Sequence, residues 1–162
     1  MRWTEEFVVA HGLCPFAARP LREGRVTALE LEGADVEELF YAALTQVQGL
    51  VQTAVEETET TLLVLPDHLG DFDDFLAFVG AIEEALEESG AHALVQLAHF
   101  HPDYRFAGVD RDDPGNRTNR APWPVVQLLR VASVARAVAA YPDVEGIPGR
   151  NVARMRKLFG GV

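Results

Sequence analysis

The residues best suited to chemistry lie in two stretches, Gly12-Leu-Cys-Pro-Phe-Ala17 and His99 to Arg120. Cys14 is the only cysteine. It can act as nucleophile or metal ligand if a neighbouring His or Arg favours its thiolate. His11 lies three residues upstream, within reach if the preceding helix continues that far. Buried without such a partner, a lone cysteine is a small inert hydrophobe. In the second stretch, His99 and His101 share one face at the end of a strand, because side chains alternate with period two. The pair can chelate a divalent metal, with further ligands from Asp110, Asp112, Asp113, His11 or Cys14. Alternatively, His101 can serve as general base, oriented by Asp112 or Asp113. Both histidines could also be plain polar residues at a strand edge. Asn116, Asn119 and Arg120, with Arg105, Arg111 and Arg130 nearby, offer amides and guanidinium forks that suit carboxylates and phosphates. The same arginines could instead neutralise the loop's own aspartates.

Several familiar chemistries are missing from the sequence. A second cysteine would be needed for a Cys-x-x-Cys redox centre. No phosphate-binding loop, dinucleotide fingerprint or Gly-x-Ser-x-Gly elbow occurs. Asp110 to Ala121 fails as an EF-hand, with Pro114 at its fifth position and Ala121 at its twelfth.

The elements that must position these residues can be read from periodicity. Trp3, Phe7 and His11 predict a short helix stopped by Gly12 and Pro15, followed by a loop to Gly24. Thr27, Leu29 and Leu31 alternate with polar or small residues, as in a half-buried strand. Asp35, with Glu38 three residues later, caps a long helix whose apolar face includes Leu39, Ala43, Val47 and Leu50. Thr60 to Leu65 reads as a buried central strand. Asp71 caps the next helix and Ser89-Gly90 ends it. His92 to Phe100 and Val125 to Val131 read as the third and fourth strands, separated by an irregular stretch from Pro102 to Pro124. A helix follows with Ser133 as its cap, and a last one runs from Pro148 to Phe159. The expected fold is a single α/β domain over residues 1–162: a mixed four-stranded sheet with β-α-β-α-β crossovers, packed by helices. The fourth strand is the one open to antiparallel pairing. Ligands in such sheets bind beyond the carboxyl ends of the strands, where the 101–120 loop begins.

The chain has 162 residues, 14 basic and 25 acidic, for a net charge of −11. No Lys or Arg occurs between Val26 and Tyr104, where 17 of the acidic residues fall. Nucleic acid and anionic membranes are therefore poor partners. The arginines of the C-terminal third can still form a local positive site for a small anion. With one cysteine and no signal-like N-terminus, the expected location is the cytoplasm.

Five motifs occur together in order: Gly12 to Ala17; Phe100-His-Pro-Asp-Tyr-Arg-Phe106; Asp112-Asp113 to Asn116; Thr118-Asn-Arg-Ala-Pro122; and Tyr141-Pro-Asp with Ile147-Pro and Arg150-Asn151. In these the chain resembles a small bacterial family, domain of unknown function 1415, over essentially its whole length. The resemblance implies that Cys14, His101, Asp103, Tyr104, Asp112, Asn119 and Arg120 are motif residues. It also implies a His and a Glu in the fourth strand, where this chain has Gln127 and Val131. It implies no particular activity.

Together these features favour an enzyme acting on an anionic metabolite between the Cys14 loop and the His101–Arg120 loop. Cys14, His101 and Asp112 would be catalytic. Tyr104, Asn116, Asn119, Arg120 and Arg130 would hold the substrate. His99, His101 and Asp113 are the candidate ligands for a divalent metal. The alternatives are a non-catalytic protein that binds a small anion or metal, and an interaction module using its acidic surface.

Overall fold

The computed structural model describes residues 2–160. The chain forms one four-stranded sheet in the order β1-β2-β4-β3, with β1 Val26–Glu30, β2 Thr60–Val64, β3 Val95–Phe100 and β4 Val125–Arg130. β1 pairs parallel with β2, and β4 runs antiparallel to both β2 and β3. Strands β1, β2 and β3 therefore point the same way, as the β-α-β-α-β order requires. β4 is not appended at an edge but inserted between β2 and β3. Its sequence suits that place: Val125, Val126 and Leu128 are buried in a strand covered on both faces.

Helices α2 (Val36–Gln52) and α3 (Phe72–Ser89) cover one face of the sheet. Both begin where their caps predict. The Asp35 carboxylate accepts the Glu38 N–H at 2.9 Å, and Asp71 accepts the N–H groups of Asp73 and Asp74. Leu39, Ala43, Val47 and Leu50 of α2 and Phe75, Val79 and Ile82 of α3 pack with Leu63, Val95 and Val126 as the main core. Gly90, at φ 74°, ends α3 in the left-handed region. The chain then makes a 3₁₀ turn, Ala91–Ala93, so β3 starts at Val95 and not at His92.

The opposite face is covered by an N-terminal π-helix, Thr4–Val9, by α1 (Ala18–Arg22) and by α4 (Val131–Ala139). Ala10 N–H bonds Glu5 O at 3.1 Å and Leu13 N–H bonds Val8 O at 2.8 Å, five residues back in each case. α1 replaces the predicted loop. Its Pro20 lies in the first turn, where a missing N–H has no intrahelical partner to lose. α4 begins directly from β4, so Ser133 lies inside its first turn, where it accepts from Arg136 rather than capping the helix. α5 (Ile147–Phe159) packs on the 3₁₀ turn Pro114–Thr118. Its Met155 is buried with Val8 and Leu13. No helix among the described residues is long and apolar enough to cross a membrane.

Candidate functional site

The sheet separates the two residues expected to work together. On β3, Val95, Leu97 and His99 face α2 and α3, whereas Gln96, Ala98 and Phe100 face the other side. His101 continues the first set: it is fully buried, 5.3 Å from the Phe72 ring and 5.1 Å from Phe75. Cys14 lies on the second side, packed against the cluster of Val8, Leu13 and Met155. The pairing of Cys14 with His101 is thus excluded by which face of the sheet each one occupies.

Both nitrogens of His101 are already committed. Nδ1 accepts the Asp103 N–H at 3.0 Å, so the ring proton must sit on Nε2, which donates to Leu69 O at 3.0 Å. Leu69 has φ 55°, a left-handed backbone that is costly for leucine. The imidazole pins this turn between β2 and α3 to the loop that follows β3. As placed, it has no lone pair for a substrate proton or a metal.

The 101–120 loop uses its polar groups in the same internal way. Asn116 is fully buried; its Oδ1 accepts the Phe106 N–H and its Nδ2 donates to Asp110 O and Arg111 O. Arg120 donates to Tyr104 O and Arg111 O. Arg105 pairs with Asp73, and Arg111 with Asp103. Asp113 accepts Gly115 N–H and pairs with Arg156, contacts that hold its carboxyl below the usual carboxylate range, Arg156 foremost. Arg117 lies 4.6 Å from the Phe159 ring centroid. Tyr104 packs on Phe72, His99 and Phe106, and burial raises its hydroxyl pKa. Asp112 is exposed, its N–H donating to Asp110. His99, half-buried beside Phe75, is pushed towards its neutral form by desolvation. His99, His101 and Asp113 are not gathered into one ligand set. No group of three or more His, Cys, Asp or Glu placed to hold a metal occurs among the described residues.

What the fold does build is a cavity of about 370 Å³ on the second face, between the sheet and the π-helix, α1 and α4. Its floor is made by alternate strand residues, including Leu62, Ala98, Gln127 and Leu129, and its walls include Val8, Leu21 and Val134. Trp3 stacks edge-on against Phe100 with ring centroids 5.3 Å apart, at the cavity's edge. Gly12, at φ 59°, turns the chain from the π-helix into the Cys14 loop. Burial raises the Cys14 pKa, more than the N–H groups of Phe16 and Ala17 lower it, so the thiol is protonated at neutral pH.

Two charged residues line the cavity, Glu59 and Arg130. Glu59 pairs with the half-buried Arg25. Arg130 has no carboxylate in ion-pair range among the described residues. Its Nε and Nη2 donate to Thr58 O, and Nη2 also to Thr53 O, tying β4 to the segment after α2. These acceptors are neutral, so the charge is not cancelled, and Nη1 keeps its two N–H groups. Asn119, Gln127 and Arg130 are thus brought to one cavity with Cys14, while Tyr104, Asn116 and Arg120 are not among its lining residues.

A family model described as "Protein of unknown function (DUF1415)" matches residues 1–160. The chain belongs to the DUF1415 family. No curated protein and no solved structure matches it. Position 127, where the resemblance implies a histidine, is at the centre of the sheet face opposite α2 and α3, and Gln127 lines the cavity.

Proposed function

We propose that this protein binds a small, largely apolar molecule with an anionic end, held in the cavity between the sheet and the π-helix, α1 and α4. The observation that carries the reading is Arg130: a half-buried guanidinium, unmatched by any carboxylate in ion-pair range among the described residues, at the wall of an otherwise mainly apolar cavity. A cation of this kind favours a carboxylate or phosphate, whose charge-assisted hydrogen bonds are stronger where water is scarce. The volume falls within the range of small-molecule sites, which pair apolar walls with a few placed polar groups. Binding without catalysis is favoured over turnover, because the thiol at the cavity is protonated and the buried imidazole lies across the sheet.

The test is isothermal calorimetry with 3-phenylpropanoate and its neutral and cationic counterparts, 3-phenylpropanol and 3-phenylpropylamine. The acid should bind saturably and at least tenfold more tightly than either counterpart. Ala98→Leu fills the floor of the cavity and leaves Arg130 in place, and should weaken the acid by a similar factor. Equal binding of acid and amine, or an acid affinity untouched by Ala98→Leu, would refute the reading.

A further inference from the structure

Four side-chain amides line the cavity: Gln96 from β3, Gln127 from β4, Asn119 from the loop after β3, and Asn151 from α5. Gln96 is exposed, and its amide meets no protein partner among the described residues; in the other three the nitrogen is already engaged by the protein. Asn151 Nδ2 donates to Leu13 O at 2.6 Å, and Asn119 Nδ2 donates to His99 O at 3.4 Å. Gln127 Nε2 donates to Thr60 Oγ1 at 3.0 Å, while the Thr60 proton goes to Leu128 O at 2.7 Å. These partners fix the amide orientations. A backbone carbonyl can only accept, and a hydroxyl whose proton is committed elsewhere can offer Gln127 only a lone pair. Turning any of the three amides over would set oxygen against oxygen.

The consequence is the same at Gln127, Asn119 and Asn151: the amide oxygen is left over. No protein donor meets Gln127 Oε1, Asn119 Oδ1 or Asn151 Oδ1 among the described residues. None of them is sealed away, since no fully buried side-chain N or O lacks a partner there. Asn116, outside the cavity, shows the contrast, with its oxygen and its nitrogen both bonded to backbone. Gln127, Asn119 and Asn151 thus present three unmet acceptors to the cavity, beside the donors of Arg130 and of the exposed Gln96 amide.

We infer that the bound molecule carries hydrogen-bond donors, O–H or N–H groups, on its apolar body, directed at the oxygens of Gln127, Asn119 and Asn151. The ligand class is a hydroxylated or amino-bearing apolar acid, not a plain fatty or aryl acid. This rests on the cavity reading above and names the chemistry of the molecule within it. A ligand without donors would strip water from three acceptors and return nothing to them.

The experiment compares 3-phenylpropanoate with its 2-, 3- and 4-hydroxy derivatives, its 4-amino derivative and the matching methoxy ethers, all on the wild-type chain. At least one donor-bearing derivative should bind about fivefold more tightly than the parent acid. Its methoxy ether, which can only accept, should lose that gain. The gain, taken as the ratio of derivative to parent-acid affinity within each variant, should also shrink in Gln127→Met, Asn119→Ala or Asn151→Ala, according to which oxygen receives the donor. If the parent acid binds and no derivative improves on it, or if the ether binds as well as the hydroxyl, the inference fails and the cavity reading stands. If none of the acids binds, the cavity reading fails and the inference with it.

Discussion

Replacing His101 with phenylalanine separates a structural imidazole from a reactive one. The ring volume is kept, so the packing against Phe72 and Phe75 survives. Two groups lose their partners: the Asp103 N–H, now 3.0 Å from Nδ1, and the Leu69 carbonyl, 3.0 Å from Nε2. An unpaired buried polar group costs about 1–3 kcal/mol, and both bonds reach a fully buried ring, so His101→Phe should lose about 3 kcal/mol. For a chain of this length that is a fall in Tm of about 6–12 °C. Urea unfolding followed by circular dichroism measures it. The Leu69 turn should also loosen, since its left-handed backbone loses the bond that holds it, and amide exchange near Gly70 should quicken. His101→Gln, which can replace one of the two bonds, should fall between the variants. Wild-type stability in His101→Phe would refute the reasoning and reopen the imidazole as a reactive group.

Other expected outcomes follow from the same contacts. Asn116→Ala removes bonds to one N–H and two carbonyls and should cost about 2–3 kcal/mol in urea unfolding, while affinity for 3-phenylpropanoate is unchanged. Desolvation lowers the folded-state pKa of His99, so the unfolded chain takes up its proton more readily. The His99 contribution is complete above the unfolded value of about 6.5 and is lost as pH falls from there through the folded value. Tm should therefore decline from pH 7.5 to 5.5, and His99→Gln should flatten that decline. The thiol of Cys14, raised by burial, should alkylate slowly at neutral pH and faster only above the free-thiol range near 8.5; rapid alkylation at pH 7 would contradict the assigned environment.

The helices that carry the core were legible because their signals are local. Asp35 and Asp71 sit at the starts of periodic apolar faces, and each accepts the N–H groups that its position predicts. The parallel relation of β1, β2 and β3 followed from their alternation with α2 and α3. The central place of β4 was not read from the sequence, which showed only a fourth strand open to antiparallel pairing; its run from Val125 to Leu129 is apolar but for Gln127. What could not be read was which strand face meets which cover. The shared face of His99 and His101 was apparent from their spacing, but nothing local says that Cys14 packs on the other side. Arg130 finds its acceptors Thr58 and Thr53 at separations of 72 and 77 residues, beyond any spacing rule. Thr60, Ala98 and Gln127 look like ordinary strand positions until β2, β3 and β4 are placed side by side. The Asn116 to Arg120 segment looked like an anion site because the groups that fold a long loop are those that would grip an anion: amides and guanidinium forks.

The most direct test of the central claim is a methyl NMR titration of the wild-type protein with 3-phenylpropanoate. The account predicts saturable shifts at Leu62, Ala98, Leu129 and Val134, which line the cavity, with the methyls and amides of residues 103–113 unmoved. Shifts confined to the 103–113 segment, with the cavity methyls silent, would contradict it and return the site to the loop.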